Sequence, residues 1–336
     1  MNSEVPTNRG GPERALAPSA ADRPVVEDGA SPQRAVTADD DKPLPLVSVL
    51  IPAYNRAAYI TRTVDSVLAQ TYPRIQLIVT DDGSSDGTLE ILQSYAAKGQ
   101  LTLLRHPGGQ NRGQSASLNL ALEHAHGEYI SILDSDDMFA PRKLEVLVGF
   151  LERHPEFGLA YSNGFAVDES DNIHYEIHTP DHKEENDPNR LLMDCYFLLP
   201  QNAVVRRSVL TKAGKFEESF RSAQDHDMLL RIAEIAKLAY LPEHLFYYRR
   251  HDDSISAKRQ DLRWRTGFEI LRRAAKRYPY RRSAIRKRRA VLHFRMGEVL
   301  WSSRHQLTAL RHLALAGILD PIRSLRVLVE RTASSK

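Results

Sequence analysis

Apolar and polar positions alternate regularly between residues 46 and 133. Leu46 to Ile51 is a short apolar run rich in β-branched residues, which predicts a buried strand, and Pro52 and Asn55 end it. From Ala57 to Gln70, Ile60, Val64, Val67 and Leu68 share one helical face. Strand and helix then take turns: Ile75 to Val79, Thr88 to Ala97, Leu101 to Leu104, Ser115 to His124 and Glu128 to Leu133. Such alternation predicts right-handed crossovers and a mainly parallel sheet, with ligands beyond the carboxyl ends of its strands. The polar clusters of this chain fall at those ends.

Downstream, Pro141 to His154 reads as a helix and Gly158 to Ile177 as short strands around a Glu169 to Asn172 turn. Asn202 to Val205 reads as a strand, and Ser208 to Ala213 and Gln224 to Ala236 as helices. Two further strands follow, Lys237 to Leu241 and Leu245 to Tyr248. From about Gln260 the chain reads as helical, with breaks at Pro279 and Pro321. The expected fold class is α/β: a Rossmann-like mixed sheet flanked by helices, with a C-terminal helical extension. Three regions are expected: a disordered leader (1–43), a folded α/β domain (44–258) and a basic helical region (259–336). The leader is rich in Pro, Ala, Gly, Asp and Glu, and has too little apolar surface to offset the entropy of ordering.

Charge adds what periodicity does not show. The net charge of +3 conceals 19 Lys and Arg against 5 Asp and Glu from Asp261 to Lys336, a net of +14. The remaining residues carry a net of −11. A basic tail on an acidic body points to an anionic contact: lipid headgroups, nucleic acid or the body itself. The acidic body, and the lack of interleaved aromatics in the tail, argue against nucleic acid. No apolar run approaches the roughly 20 residues of a membrane-spanning helix. No secretory signal is recognisable, and Cys195 is the single cysteine, so the expected compartment is the cytoplasm, with a possible peripheral site at the inner membrane face.

Four polar clusters carry candidate chemistry. Asp81 to Thr88 follows a strand; Gly83 and Gly87 permit a tight turn, and Asp86 suits a helix cap. Adjacent carboxylates at a strand end could also accept a hydrogen bond from the ring N–H of a bound base. Asp134-Ser135-Asp136-Asp137 crowds three carboxylates into four residues, a pattern that suits Mg²⁺ or Mn²⁺ or else a solvated acidic loop. Gln224-Asp225-His226-Asp227 opens a helix, so Asp225 is either a general base or a cap. Tyr247 to Ser254 contains Arg249, Arg250 and His251, which could bind a diphosphate, complete a metal shell or form a surface pair. Arg112, in Asn111-Arg112-Gly113 at a helix entrance, could likewise reach a phosphate or base.

In combination these clusters resemble the family 2 glycosyltransferases with the A-type fold. The matching segments run from Val47 to about Ser256. They include Val49 to Asn55, Gln70-Thr71-Tyr72-Pro73, Val79 to Thr88, Asn111 to Asn119, Leu133 to Asp137, Gly214 to Glu218, Gln224 to Met228 and Tyr248 to His251. The resemblance implies that Pro52, Tyr54, Asp82 and Arg112 form a nucleoside pocket, with Asp82 on the base and Tyr54 stacked against it. Asn55, Asp81, Asp134 and Arg249 join them as donor-binding residues. Asp136 and His251 are implied as metal ligands for Mn²⁺ or Mg²⁺, and Asp225 as the catalytic base. Two departures stand out: Gln224, where the family commonly has an acidic residue, and Lys215-Phe216-Glu217-Glu218, where it has Gly-Phe-Asp-Glu.

The implied activity is inverting transfer of a sugar from a nucleotide-diphosphate donor, uridine being the commonest base. The acceptor would be a saccharide or lipid-linked saccharide, in cell-surface polysaccharide or glycoconjugate synthesis. Two rivals stay open: a metal-dependent phosphotransferase or nuclease using the same acidic clusters, and a non-catalytic module that kept the fold.

Overall fold

The computed structural model describes residues 43–184, 186–193, 200–251 and 260–324. The leader expected over 1–43 lies outside the described residues, Pro43 apart. Among the described residues one nine-stranded sheet runs β3-β2-β1-β4-β8-β6-β9-β5, with β7 paired to β6. Its strands are β1 (Val47–Ala53), β2 (Ile75–Asp81), β3 (Thr102–Arg105), β4 (Tyr129–Ile132), β5 (Met138–Phe139), β6 (Phe157–Val167), β7 (Ile173–Glu176), β8 (Ala203–Arg206) and β9 (Lys237–Arg249).

The first half follows the periodicity. β1 pairs in parallel with both β2 and β4, and β2 with β3. All seven residues of β1 are buried because helices cover both faces of the strand. On one face Val47, Val49 and Ile51 pack with Ile60, Val64 and Val67 of α1 (Ile60–Leu68) and with α4 (Lys143–Arg153). On the other, Leu50 joins a core with α3 (Gln114–Glu123), α6 (Arg207–Ala213) and α7 (Gln224–Ala233). α2 (Thr88–Ala97) and the short α5 (Pro188–Met193) complete the flanking helices. Leu68, expected on the buried face of α1, is 40% exposed.

The second half departs from a parallel sheet. β8 lies antiparallel between β4 and β6, β6 and β9 are parallel, and β5 pairs antiparallel with β9. The two strands expected over 237–248 are one, β9. Its register against β6 jumps from Leu241↔Ser162 to His244↔Asn163. Pro242 falls in that gap, where a missing N–H costs no ladder bond.

The C-terminal extension consists of α8 (Gln260–Arg277), α9 (Arg282–Ser302) and α10 (Gln306–Leu319). Part of its positive charge meets the acidic body. The Arg273 guanidinium pairs with Glu217, Arg277 with Glu234 at 2.5 Å and Arg281 with Asp187 at 3.9 Å. Arg288 of α9 is buried; it donates to the Met193 carbonyl at 3.1 Å and lies 3.5 Å from His226 Nδ1 on α7. None of the described helices is long and apolar enough to cross a membrane.

Candidate functional site

The carboxyl ends of β1, β2 and β4 bring the strand-end clusters to one edge. Pro52 is buried at the end of β1, and the Tyr54 ring beyond it is 45% exposed. Asn55 takes a left-handed backbone (φ 51°) and ties this end to the neighbouring turn. Its N–H donates to Ser84 Oγ at 3.0 Å, and its Oδ1 accepts from the Ser85 N–H at 2.9 Å. Asp86 accepts from the Thr88 N–H at 3.1 Å and from the Ala57 N–H at 3.0 Å, so it acts as a cap and a tether. Gly83 sits at φ +81°, and a Cβ there would lie 2.5 Å from the Gly109 carbonyl oxygen. The β2–α2 turn and the β3–α3 loop therefore touch backbone to backbone.

Both carboxylates expected near the base are held by protein groups. Asp82 is 3% exposed and accepts from the backbone N–H of Arg112 (2.7 Å) and Gly113 (2.8 Å). It thereby fixes the loop that carries Arg112, whose guanidinium is exposed and 3.7 Å from Glu218. Asp81 has no exposed surface; Arg105 Nε donates to it at 3.1 Å. Asp81, expected among the donor-binding residues, thus braces the turn from within; its other oxygen accepts from the Ser84 N–H at 3.3 Å.

The acidic loop after β4 is suspended between elements. Thr63 Oγ1 on α1 donates to the carbonyls of Ser135 (3.1 Å) and Asp137 (2.8 Å). Asp136 Oδ2 accepts from Arg56 Nε at 3.1 Å and lies 2.9 Å from His251 Nε2. Burial works against its charge, but the contacts with His251 and Arg56 prevail and hold its carboxyl below the ordinary range. Asp134 has no such cation in contact among the described residues. Burial first, then the charges of Asp136 and Asp225, push it up to about 7. Burial, followed by Asp136 and Asp134, likewise raises Asp137 well above the usual range; its Oδ1 accepts from the Arg249 N–H at 2.7 Å.

Asp225 reaches this cluster from α7, nearly 90 residues further along the chain. Ala223, in a left-handed conformation (φ 61°), turns the chain into that helix. A relay of amides sets the distance: Gln224 Nε2 donates to Gln114 Oε1 at 2.7 Å, and Gln114 Nε2 donates to Asp134 Oδ1 at 2.9 Å. The bond to Asp134 turns the Gln114 carbonyl toward residue 224, so that position needs a donor, which an ionised acid would not supply. This accounts physically for glutamine at 224. Beneath Gln114, Gln224 and Asp225 lies an apolar cavity of about 70 Å³ walled by Leu118, Ile130 and Met228. Few dipoles are available there to solvate the carboxylates above it.

Arg249, expected among the donor-binding residues, is turned into the protein. Its side chain is 1% exposed and pairs with Asp171 at 2.5 Å. It also donates to the carbonyls of Asp136 (3.0 Å) and Asp168 (2.8 Å). A guanidinium engaged in this way and turned inward braces the acidic loop. A cation that does face the acidic loop is Arg56, which the motif reading passed over. A basic residue two positions after Tyr54, opposite an acidic triplet, was the available signal.

Asp136 and His251 are the pair whose donor atoms converge. Among the described residues no group of three or more His, Cys, Asp or Glu is arranged to hold a metal. The local chemistry nevertheless fits a divalent cation: hard oxygen and imidazole donors, and an Asp134 carboxylate crowded by like charge.

The glycosyl transferase family 2 model matches residues 48–214. The putative glycosyltransferase EpsE of Bacillus subtilis (strain 168) is 31% identical over 228 residues, covering 68% of this chain and 80% of that one. Chondroitin synthase of Escherichia coli is 29% identical over 245 residues; this chain matches 71% of its own length but only 34% of that protein's. In structure, S. aureus TarS 1-349 in complex with UDP-GlcNAc superposes with a TM-score of 0.62 at 21% identity, covering 83% of this chain and 82% of that one. The mannosyltransferase PcManGT from Pyrobaculum calidifontis, in complex with GDP-Man and Mn²⁺, gives 0.58 at 22%, covering 87% and 80%. The fold is the A-type glycosyltransferase fold. The chain belongs to glycosyl transferase family 2, and its enzyme class is that of the glycosyltransferases.

Proposed function

We propose that this protein moves a sugar from a nucleotide-diphosphate donor, a UDP-sugar by preference, onto an acceptor hydroxyl with inversion. The observation that carries the reading is the convergence of Asp225 with Asp134 and Asp136 through the Gln224–Gln114–Asp134 relay. It sets a candidate base beside a candidate diphosphate site. TarS with UDP-GlcNAc supports a uridine donor, and the GDP-Man and Mn²⁺ complex of PcManGT supports a metal.

The base would lie against Tyr54, on the platform formed by Pro52, Asn55 and the Asp82-held loop, with Arg112 at the rim. Asp136 and His251 would hold Mn²⁺ or Mg²⁺ beside Asp134; when bound, the ion neutralises the departing diphosphate. Asp225 would take the proton from the acceptor oxygen as that oxygen attacks the anomeric carbon from the face opposite the leaving group. A single displacement of this kind inverts the centre. The chain's contribution is positioning and charge placement. The acceptor in this reading is a saccharide or lipid-linked saccharide, as in surface polysaccharide or glycoconjugate assembly, and the compartment is the cytoplasm, at the inner membrane face. The division into a leader (1–43), a catalytic domain (44–258) and a basic helical region (259–336) belongs to the same proposal.

The test is nucleotide release over a panel of sugar nucleotides, with and without Mn²⁺ or Mg²⁺. Metal-dependent release of one nucleoside diphosphate, lost in Asp136→Ala, is the expected result. No donor bound and none cleaved would overturn it.

A further inference from the structure

The outward face of α10 is built the wrong way round for a helix that meets only water. It packs on α9 through Ala309 and Ala316, both buried, and through Leu313, which lies against Gly297. The opposite face carries Leu307 (86% exposed), Leu310 (52%), Ala314 and Ile318 (76%), all within one arc at helical spacing. Ile322, 78% exposed, extends the patch past the helix end, and Trp301, 50% exposed, lies just before its start. An ordinary surface helix shows charges there; contiguous exposed apolar side chains mark a contact surface.

The rim identifies the contact. Arg304, Arg311 and Arg323 are exposed, and none forms an ion pair among the described residues. The acidic groups of α9 and α10 and the turn after them are Glu298, paired with Arg295 at 3.0 Å, and Asp320, which is buried. A second copy of this face would bring arginine against arginine. Aliphatic side chains, a tryptophan and arginines without an ion pair among the described residues match the boundary of an anionic bilayer, where apolar groups enter the acyl region and cations meet phosphates.

We propose that α10 and its flanks, from Trp301 to Ile322, form a surface that docks this protein in the plane of a membrane rich in anionic lipid. The proposal does not depend on the reaction assigned to the site.

The experiment is co-flotation of the full chain with vesicles of equal parts phosphatidylcholine and phosphatidylglycerol, against phosphatidylcholine alone. The expected result is flotation with the anionic vesicles at low salt, reduced by neutral vesicles and by raised salt. Leu307→Glu with Ile318→Glu should lower partitioning roughly tenfold per residue, and each of Arg304→Ala, Arg311→Ala and Arg323→Ala about fivefold. Both apolar positions are exposed, so the fold and donor binding should be unchanged. Flotation without donor binding would support the surface while removing the transferase reading. Failure to float at low salt, unchanged flotation of the double variant, or a wild-type dimer that the double variant dissolves would each overturn the proposal.

Discussion

Replacing Asp225 with asparagine separates chemistry from stability, because the carboxylate acts on both with opposite signs. Asparagine keeps the oxygen that accepts from the His226 N–H at 2.8 Å, so the start of α7 is preserved. What is lost is a base and a charge. As a base, Asp225 accounts for roughly 10²–10⁴-fold of transfer, the usual worth of a positioned proton acceptor. As a charge, it is the third cause, after burial and Asp136, of the rise of Asp134 from 3.8 to about 7. That whole rise amounts to about 4 kcal/mol, of which Asp225, the third cause, supplies on the order of 1 kcal/mol. The sign follows from linkage. Asp134 has a folded pKa above its unfolded one, so its contribution to stability is whole below about pH 4 and is lost as pH rises through about 7. Asp225→Asn lowers the folded value. Without metal the variant should therefore be more stable than wild type by up to about 1 kcal/mol at pH 8, with the gain vanishing near pH 5. Thermal unfolding in a chelator at the two pH values reads the stability, and product formation at saturating donor reads the chemistry. Transfer within about tenfold of wild type would refute the base assignment. A variant less stable at pH 8 would refute the crowding of charges.

Two buried cations give opposite expectations. Arg249→Met should cost about 2–4 kcal/mol, since it strands the carbonyls of Asp136 and Asp168 and half-frees Asp171, which keeps Arg62 at 2.8 Å; a Tm within a degree or two of wild type would refute its bracing role. Lys143 is fully buried, its ammonium 2.8 Å from Ser131 Oγ and over the Phe139 ring, and burial holds its pKa well below the ordinary value. Because the unfolded chain binds that proton more readily, Lys143→Met should stabilise the fold at neutral pH, with the gain shrinking above about pH 10. A destabilised Lys143→Met protein at pH 7 would contradict this.

Local periodicity by itself determined the buried first strand, the helical face of Ile60, Val64 and Val67, and the placing of polar clusters beyond strand ends. Each is decided within a few residues, where side-chain spacing and burial report on one another. The spacing of Asp82, Asp136 and Asp225 was legible too, as separate motifs in the right order. Only the tertiary structure decided what each faces. Arg249 and His251 stand two residues apart on an extended segment; one is sealed against Asp171 and the other reaches Asp136, because Asp137 fixes the backbone between β9 and the acidic loop. The Gln114–Gln224 contact spans 110 residues and leaves no local trace. The two-residue β5 is too short for any period to show, and exists because β9 offers it an edge. The net +14 of the tail was countable, but which arginines meet Glu217 and Glu234, and which border the exposed Leu307 and Ile318, depends on how three helices pack. Charge and hydropathy are carried by single residues, whereas partnership requires two chain segments to meet, and the intervening fold determines which ones do.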